Sequence, residues 1–400
     1  MNPYLTKLQP YPFEKLNQLL GQVTPSNLSH IPLSIGEPKH PAPSFVTQSL
    51  QQSLSKLSNY PTTKGSELLR NTIAQWLEKR FNLGGHSVNA DTQVLPVNGT
   101  REALFAFAQA VIDPSENPLV ICPNPFYQIY EGAAFLAGAE PHFLPCMEEN
   151  DFIPDYWAVP DAIWERCQLL YLCTPGNPTG ATTSIETLQF LIEQAQRFNF
   201  VIASDECYSE IYFDEQTPPP GLLEAANMMG LGSFDRCVVF HSLSKRSNLP
   251  GLRSGFVAGD ADVLSPFLKY RTYHGCAMPV QNQLASLAAW QDEQHVLQNR
   301  EQYRAKFSAV VPLLKPHLDV TYPDAGFYLW PKTPVSDTQF AQQLYAEQHI
   351  TVLPGSYLSR TIAGLNPGES RIRMALVAPL NECIEAAERI ANFCTTHYST

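Results

Sequence analysis

Positive charge is scarce in this 400-residue chain: 26 Lys and Arg stand against 38 Asp and Glu, a formal net charge of −12. Proteins that neutralise nucleic-acid phosphates need a basic surface, so this balance argues against a nucleic-acid partner. A small anion held in a locally positive pocket is compatible with it. Long apolar runs are lacking too, none approaching the roughly 18 residues of a membrane-spanning helix. Met1–Leu20 alternates polar and apolar residues and predicts neither a signal peptide nor an anchor. The nine cysteines are scattered and contain no Cys-x-x-Cys pair. That pattern argues against a disulfide framework or a metal site and predicts reduced thiols in the cytoplasm. Internal repeats, low-complexity segments and Pro-rich linkers are missing; the prolines sit where apolar runs end, as Pro123, Pro125, Pro175 and Pro178 do. What remains is a packed globular chain, 44% hydrophobic, long enough for two domains or one elaborated one.

One stretch organises the rest. Cys237-Val238-Val239-Phe240 reads as a buried strand, and it delivers Lys245 among Ser242 and Ser244, with Arg253 beyond a Pro250-Gly251 turn. A lysine amine there can condense with an aldehyde, while serine hydroxyls and a guanidinium suit a phosphate. An aldehyde-binding lysine beside a phosphate site is what pyridoxal phosphate (PLP) requires. The plainer reading of the stretch alone is a surface turn with a solvated lysine.

Further strand-to-loop junctions repeat along the chain. Leu33–Pro38 reads as a short strand broken at Gly36. Val94–Val97 runs into Asn98-Gly99-Thr100-Arg101 and a helix to Val111, an arrangement whose free N–H groups bind anions. Leu119–Cys122 ends before Tyr127, and Leu169–Cys173 before Asn177. A helix follows from near Thr183, read as a capping box with Glu186. Phe200–Ser204 delivers Asp205 and Tyr208. Tyr60 lies in a loop before a helix whose apolar period is Leu68, Leu69, Ile73, Trp76 and Leu77. Short strands, apolar on both faces and alternating with helices from about 93 to 260, predict an α/β fold with a mostly parallel sheet covered on two sides. Ligands of such sheets collect beyond the strands' carboxyl ends, so Thr100, Tyr127, Asn177, Asp205 and Lys245 can share one crevice. From about 280 a long helical stretch, Gln281 to about Val311, precedes expected strands at Val320–Tyr322, Gly326–Trp330 and Arg371–Leu376. This predicts a smaller α+β domain: residues 1–45 as arm and part of the small domain, 46–285 as the large domain, and 286–400 as the rest of the small one.

Taken together, these residues resemble the PLP-dependent class I aminotransferases of the aspartate aminotransferase fold type, from about Leu33 to the last helix. The resemblance implies the following roles. Lys245 matches the cofactor-binding catalytic lysine. Ser242, Ser244, Arg253 and Thr100, with the Gly99-Thr100-Arg101 backbone, match the phosphate ligands. Asp205 matches the partner of the pyridine nitrogen, Tyr208 and Asn177 the donors to the phenolic oxygen, and Tyr127 the ring-stacking residue. Arg373 matches the fork for the substrate's α-carboxylate, aided by Gly36 and Asn177. Tyr60 matches a residue that reaches the partner subunit's cofactor, which implies a homodimer with shared active sites acting on small amino and keto acids.

Three runs, Met1–Leu5 with Leu8–Phe13, Ser34–Pro41 and Tyr270–Pro279, are similar to succinyldiaminopimelate aminotransferases of lysine biosynthesis. This implies transfer from N-succinyl-LL-2,6-diaminopimelate to 2-oxoglutarate. Arg271, Tyr273 and His274 are the candidate readers of the donor's distal end, the alternative for Arg271 being a structural ion pair, and Gly275, Cys276 and Ala277 leave room for a long side chain. The competing expectations are another class I aminotransferase, a PLP lyase on the same fold, and a non-catalytic PLP-binding regulator.

Overall fold

The computed structural model describes residues 1–84 and 87–398. Its centre is a seven-stranded sheet in the order Val94–Val97, Gly255–Gly259, Cys237–Ser242, Val201–Asp205, Cys167–Cys173, Leu119–Asn124, Glu140–Pro145. The last five are mutually parallel. Gly255–Gly259 runs antiparallel to both neighbours. Strand alternation explains why the central strands read as unbroken apolar runs. Leu170, Leu172 and Ile202 enter the core on one face, and Leu169, Tyr171 and Ala203 the core on the other. The strand Glu140–Pro145 at the sheet's edge had no clear sequence signal: most of its side chains are partly exposed.

Two of the helices that pack on this sheet begin at serine caps. Ser66 accepts from Leu69 N at the start of Glu67–Arg80. Leu68 departs from the expected apolar face: it is exposed, while Leu69, Ile73, Trp76 and Leu77 are buried. The cap of Ile185–Phe198 is Ser184, bonded to Thr187 N, and not the Thr183–Glu186 box. Thr183 is buried, its backbone N–H donating to Thr174 Oγ1 at 2.9 Å.

A second sheet joins Leu353–Pro354, Ile372–Ala375 and Tyr328–Leu329, all antiparallel. The expected strand at Val320–Tyr322 is not formed. The long helical stretch divides into Val280–Gln291 and Gln294–Leu314. The first strand covers Ile31–Pro32, just before the expected one, and pairs with Ile350–Thr351. Ile31 and Leu33 thereby share a core with Phe307, Leu344 and Ile390, so the N-terminal segment lies over the C-terminal third as an arm. Of the described residues, no helix is long and apolar enough to cross a membrane.

Candidate active site

The strand ends and the arm enclose a cavity of about 530 Å³. Lys245 enters it from the four-residue helix Leu243–Arg246, which follows the strand Cys237–Ser242 without a break. The next residue, Arg246, anchors that helix from behind. It is fully buried, its guanidinium lies 4.7 Å from the Trp290 ring centroid, and it pairs with Glu293. Lys245 Nζ donates to the Gly36 carbonyl and sits 5.3 Å from the Phe327 ring centroid. Burial lowers its pKa to about 8, with Arg373 and Arg101 acting in the same direction and Cys207 and Glu37 opposing. A lysine in that state supplies a neutral amine at far lower pH than a solvated one.

Asp205 ends its strand and is buried against the cavity. It accepts from Tyr130 Oη at 2.7 Å and from Cys207 N at 3.3 Å. Burial raises its pKa, and those hydrogen bonds pull it back. Asp205 makes no salt bridge among the described residues. A buried carboxylate that faces a cavity and is paired with no cationic side chain suits a cationic ligand atom.

Away from Asp205 the donors gather for an anion. The helix Thr100–Val111 begins at the cavity with its first N–H groups free. Thr100, Ser242, Ser244 and Arg253 line the wall around it. Gly99 is favoured here because its φ of +84° is strained for any residue with a Cβ, and it lets the Arg253 guanidinium lie against the turn. Aldehyde-reactive amine, buried carboxylate and anion cup together fit pyridoxal phosphate. Tyr127 and Cys207 line the space between them. The Tyr127 hydroxyl accepts from Arg101 Nε at 2.6 Å, and burial pushes its pKa above the usual phenol range.

On the remaining wall, Arg373 is buried with its guanidinium donating to Asn177 Oδ1 at 3.0 Å and to the Ser34 carbonyl at 2.7 Å. Nη1 and Nη2 each carry a second hydrogen that these two bonds do not use, so donors remain for a carboxylate. Gly36 is held close by: a Cβ there would meet Tyr328 Oη at 1.9 Å. Tyr208 Oη lies 3.0 Å from the same Tyr328 hydroxyl.

Five expected residues stand elsewhere. Gly99 shapes the cup from outside the lining. Tyr60 is fully exposed and does not reach the cavity of its own chain. Arg271 is the correction. Its guanidinium is completely buried, donates twice to Glu102 at 2.8 and 2.9 Å, and donates to the Cys276 carbonyl at 2.8 Å. Helical phase turns it toward the helix Thr100–Val111, so it is a structural ion pair and not a substrate reader. Tyr273 and His274 are exposed and do not line the cavity either.

Several residues escaped the sequence reading. Tyr130, the partner of Asp205, lies three residues after Tyr127, a helical spacing that hinted at a shared face. Tyr328 and Cys207 line the cavity, and so do Tyr11, Phe13 and Ile35 from the arm. Arg101, expected to serve through its backbone and to add side-chain contacts, does project its side chain to the lining, with Nη2 3.4 Å from Tyr11 Oη. It has no acidic partner among the described residues.

Comparison with known proteins agrees with this geometry. Residues 29–390 match the family described as aminotransferase class I and II. The LL-diaminopimelate aminotransferase of Maridesulfovibrio salexigens is 31% identical over 97% of both chains. The crystal structure of an aminotransferase from Neisseria meningitidis is 47% identical, with a TM-score of 0.94 over 98% of this chain and 100% of that one. A Thermus thermophilus protein described as a probable N-succinyldiaminopimelate aminotransferase is 26% identical, with a TM-score of 0.84 over 95% of this chain and 99% of that one.

Proposed function

The chain belongs to the class I and II aminotransferases, which are PLP-dependent, and on that premise we propose that its amino donor is N-succinyl-LL-2,6-diaminopimelate and its acceptor 2-oxoglutarate. One observation carries the donor class: Arg101, a cation without an acidic partner, is held at the cavity lining by two phenols. The distal end of the succinylated donor bears carboxylates and no ammonium, which matches an unpaired guanidinium. The Maridesulfovibrio relative favours a second reading, LL-diaminopimelate itself, whose distal end adds an ammonium. Among the described residues Glu37 is the one lining carboxylate besides Asp205, and it already pairs with Lys39 at 2.8 Å. That pairing favours the succinylated donor.

The residues divide the work. Arg373, with Asn177 and the Gly36 backbone, fixes the α-carboxylate, so that the donor's Cα stands beside Lys245. When bound, pyridoxal phosphate supplies the aldehyde that takes the amino group and a ring that accepts the electron pair released at Cα. Asp205, oriented by Tyr130, keeps a proton on the ring nitrogen. Lys245 Nζ removes the Cα proton and returns it on the other side of the transferred nitrogen, work typically contributing about 10²–10⁴-fold in rate. The hydroxyls of Thr100, Ser242 and Ser244 and the Arg253 guanidinium would hold its phosphate.

The same reading makes the enzyme a cytoplasmic homodimer in which Tyr60 completes the partner's site. Tyr60 is fully exposed and the nearby Leu54 and Leu57 are more than half exposed, and such apolar exposure suits a second copy. A donor panel with 2-oxoglutarate tests the substrate. We expect kcat/KM for the succinylated donor at least about tenfold above that for LL-diaminopimelate, glutamate or aspartate, about 1.4 kcal/mol. Preference for LL-diaminopimelate would select the second reading. Equal turnover of aspartate would overturn both and leave the family membership intact.

A further inference from the structure

One buried cation plays no part in the chemistry above. Lys306, on the helix Gln294–Leu314, is 2% exposed. It makes no salt bridge among the described residues. Its ammonium instead lies 2.7 Å from His40 Nε2 and donates to the Val377 carbonyl at 3.2 Å. An ammonium can only donate, so His40 Nε2 accepts and the ring proton resides on Nδ1. Nδ1 then donates to Asn299 Oδ1 at 2.8 Å. Asn299 is also buried, and its amide donates to the carbonyls of Lys245 at 3.2 Å and Arg246 at 3.3 Å. Every donor and acceptor in this chain is consistent in direction. It runs from Lys306 through His40 and Asn299 to the backbone of the catalytic lysine.

His40 also ends the loop that closes the cavity. Within that loop the Ser34 carbonyl holds Arg373, and the Gly36 carbonyl receives Lys245 Nζ. The His40 ring packs on Tyr303, centroids 4.8 Å apart, and Tyr303 in turn stacks on Phe327 beneath the Lys245 amine. The loop therefore touches both halves of the site, the carboxylate fork and the amine, and one of its ends is tied to the helix that grips the Lys245 backbone.

We propose that His40, Asn299 and Lys306 form a positioning relay that locks the 34–40 loop and the Lys245 backbone in one register, so that the α-carboxylate fork and the amine are aligned before substrate arrives. None of the three touches substrate; they act through Ser34, Gly36 and Lys245. The inference holds for any donor the enzyme accepts.

The test uses the holoenzyme with its best donor. His40→Ala should raise KM for donor and acceptor alike by about tenfold. In the same variant, amide hydrogen exchange across residues 34–40 should quicken about tenfold while exchange in the central sheet stays as in the native protein. Lys306→Met should reproduce both effects, because it keeps the volume and removes the donor. His40→Asn keeps a donor toward Asn299 and should recover KM to within about threefold. A folded His40→Ala whose KM values and 34–40 exchange both stay within about twofold of native overturns the relay. So does a His40→Asn protein no better than His40→Ala. If His40→Ala does not fold, Lys306→Met and His40→Asn decide by the same two readings.

Discussion

Replacing Arg101 by Gln probes the donor assignment most directly. The guanidinium is tethered to Tyr127 Oη at 2.6 Å and Tyr11 Oη at 3.4 Å and carries an unpaired charge. A charge-assisted hydrogen bond to a substrate carboxylate is worth about 1.5–3 kcal/mol. Arg101 is an exposed residue on the lining, so solvent screening places the value in the lower half, about 1.5–2 kcal/mol. At about 1.4 kcal/mol per decade this is a loss of about 10–30-fold in kcat/KM for the succinylated donor. The loss should fall on KM, because the distal carboxylate is bound alike in ground and transition states. Alanine, a donor without a distal carboxylate, should lose less than about threefold. 2-Oxoglutarate has its own distal carboxylate, so the donor half-reaction is measured alone, by single-turnover loss of cofactor absorbance with each donor. Tyr127→Phe serves as the control: it removes one of the two tethers, keeps the Tyr11 contact and the charge, and should cost both donors a similar small factor. An equal loss for alanine and the succinylated donor would refute the reasoning, because Arg101 would then act through the cofactor end of the site. Unchanged kinetics with the succinylated donor would refute it as well.

Four further outcomes are expected. Arg271→Met should leave the ratio of succinylated donor to alanine turnover unchanged while destabilising the fold. Removing one member of a buried pair costs about 3–5 kcal/mol, and the partial exposure of Glu102 puts this pair near the low end; a selective loss of the succinylated donor would restore Arg271 as a substrate reader. Burial lowers the Lys245 pKa to about 8, so acylation of this amine in cofactor-free protein should reach half-maximum near that pH, not near the ordinary value of about 10.4. The unfolded chain binds more protons than the folded one between these two values, so the Lys245 contribution to stability should rise with pH through that window and be flat below it; half-maximal labelling near 10 would contradict the assignment. Borohydride reduction of the holoenzyme should mark Lys245 and Lys245→Ala should lose turnover, whereas label on another lysine would displace it. Mixing Tyr60→Ala with Lys245→Ala subunits should regain up to about a quarter of native activity through one intact site per mixed dimer; strict additivity despite proven subunit exchange would mean that each subunit works alone.

Sequence by itself determined whatever local chain chemistry specifies. Apolar runs ending at Gly, Pro or Ser placed Thr100, Asn177, Asp205 and Lys245 at strand ends, and a parallel sheet then has only one crevice to offer them. The resemblance supplied roles for those positions, and all four line the cavity. Tertiary structure alone decided where long side chains point and which distant residues meet. Arg271 was expected at the donor's distal end and Arg101 in the anion cup, but the packing of two helices buries Arg271 against Glu102 and leaves Arg101 at the lining. Ser34 and Arg373, or His40 and Lys306, are separated by 339 and 266 positions, and no local period encodes such pairings. The two-residue strand Tyr328–Leu329 exists through its pairing with Met374 and Ala375, whereas Val320–Tyr322, with comparable β propensity, pairs with nothing in register. Propensity and periodicity act within one turn or one strand, while hydrogen bonds across the fold form only where burial has already brought the partners together.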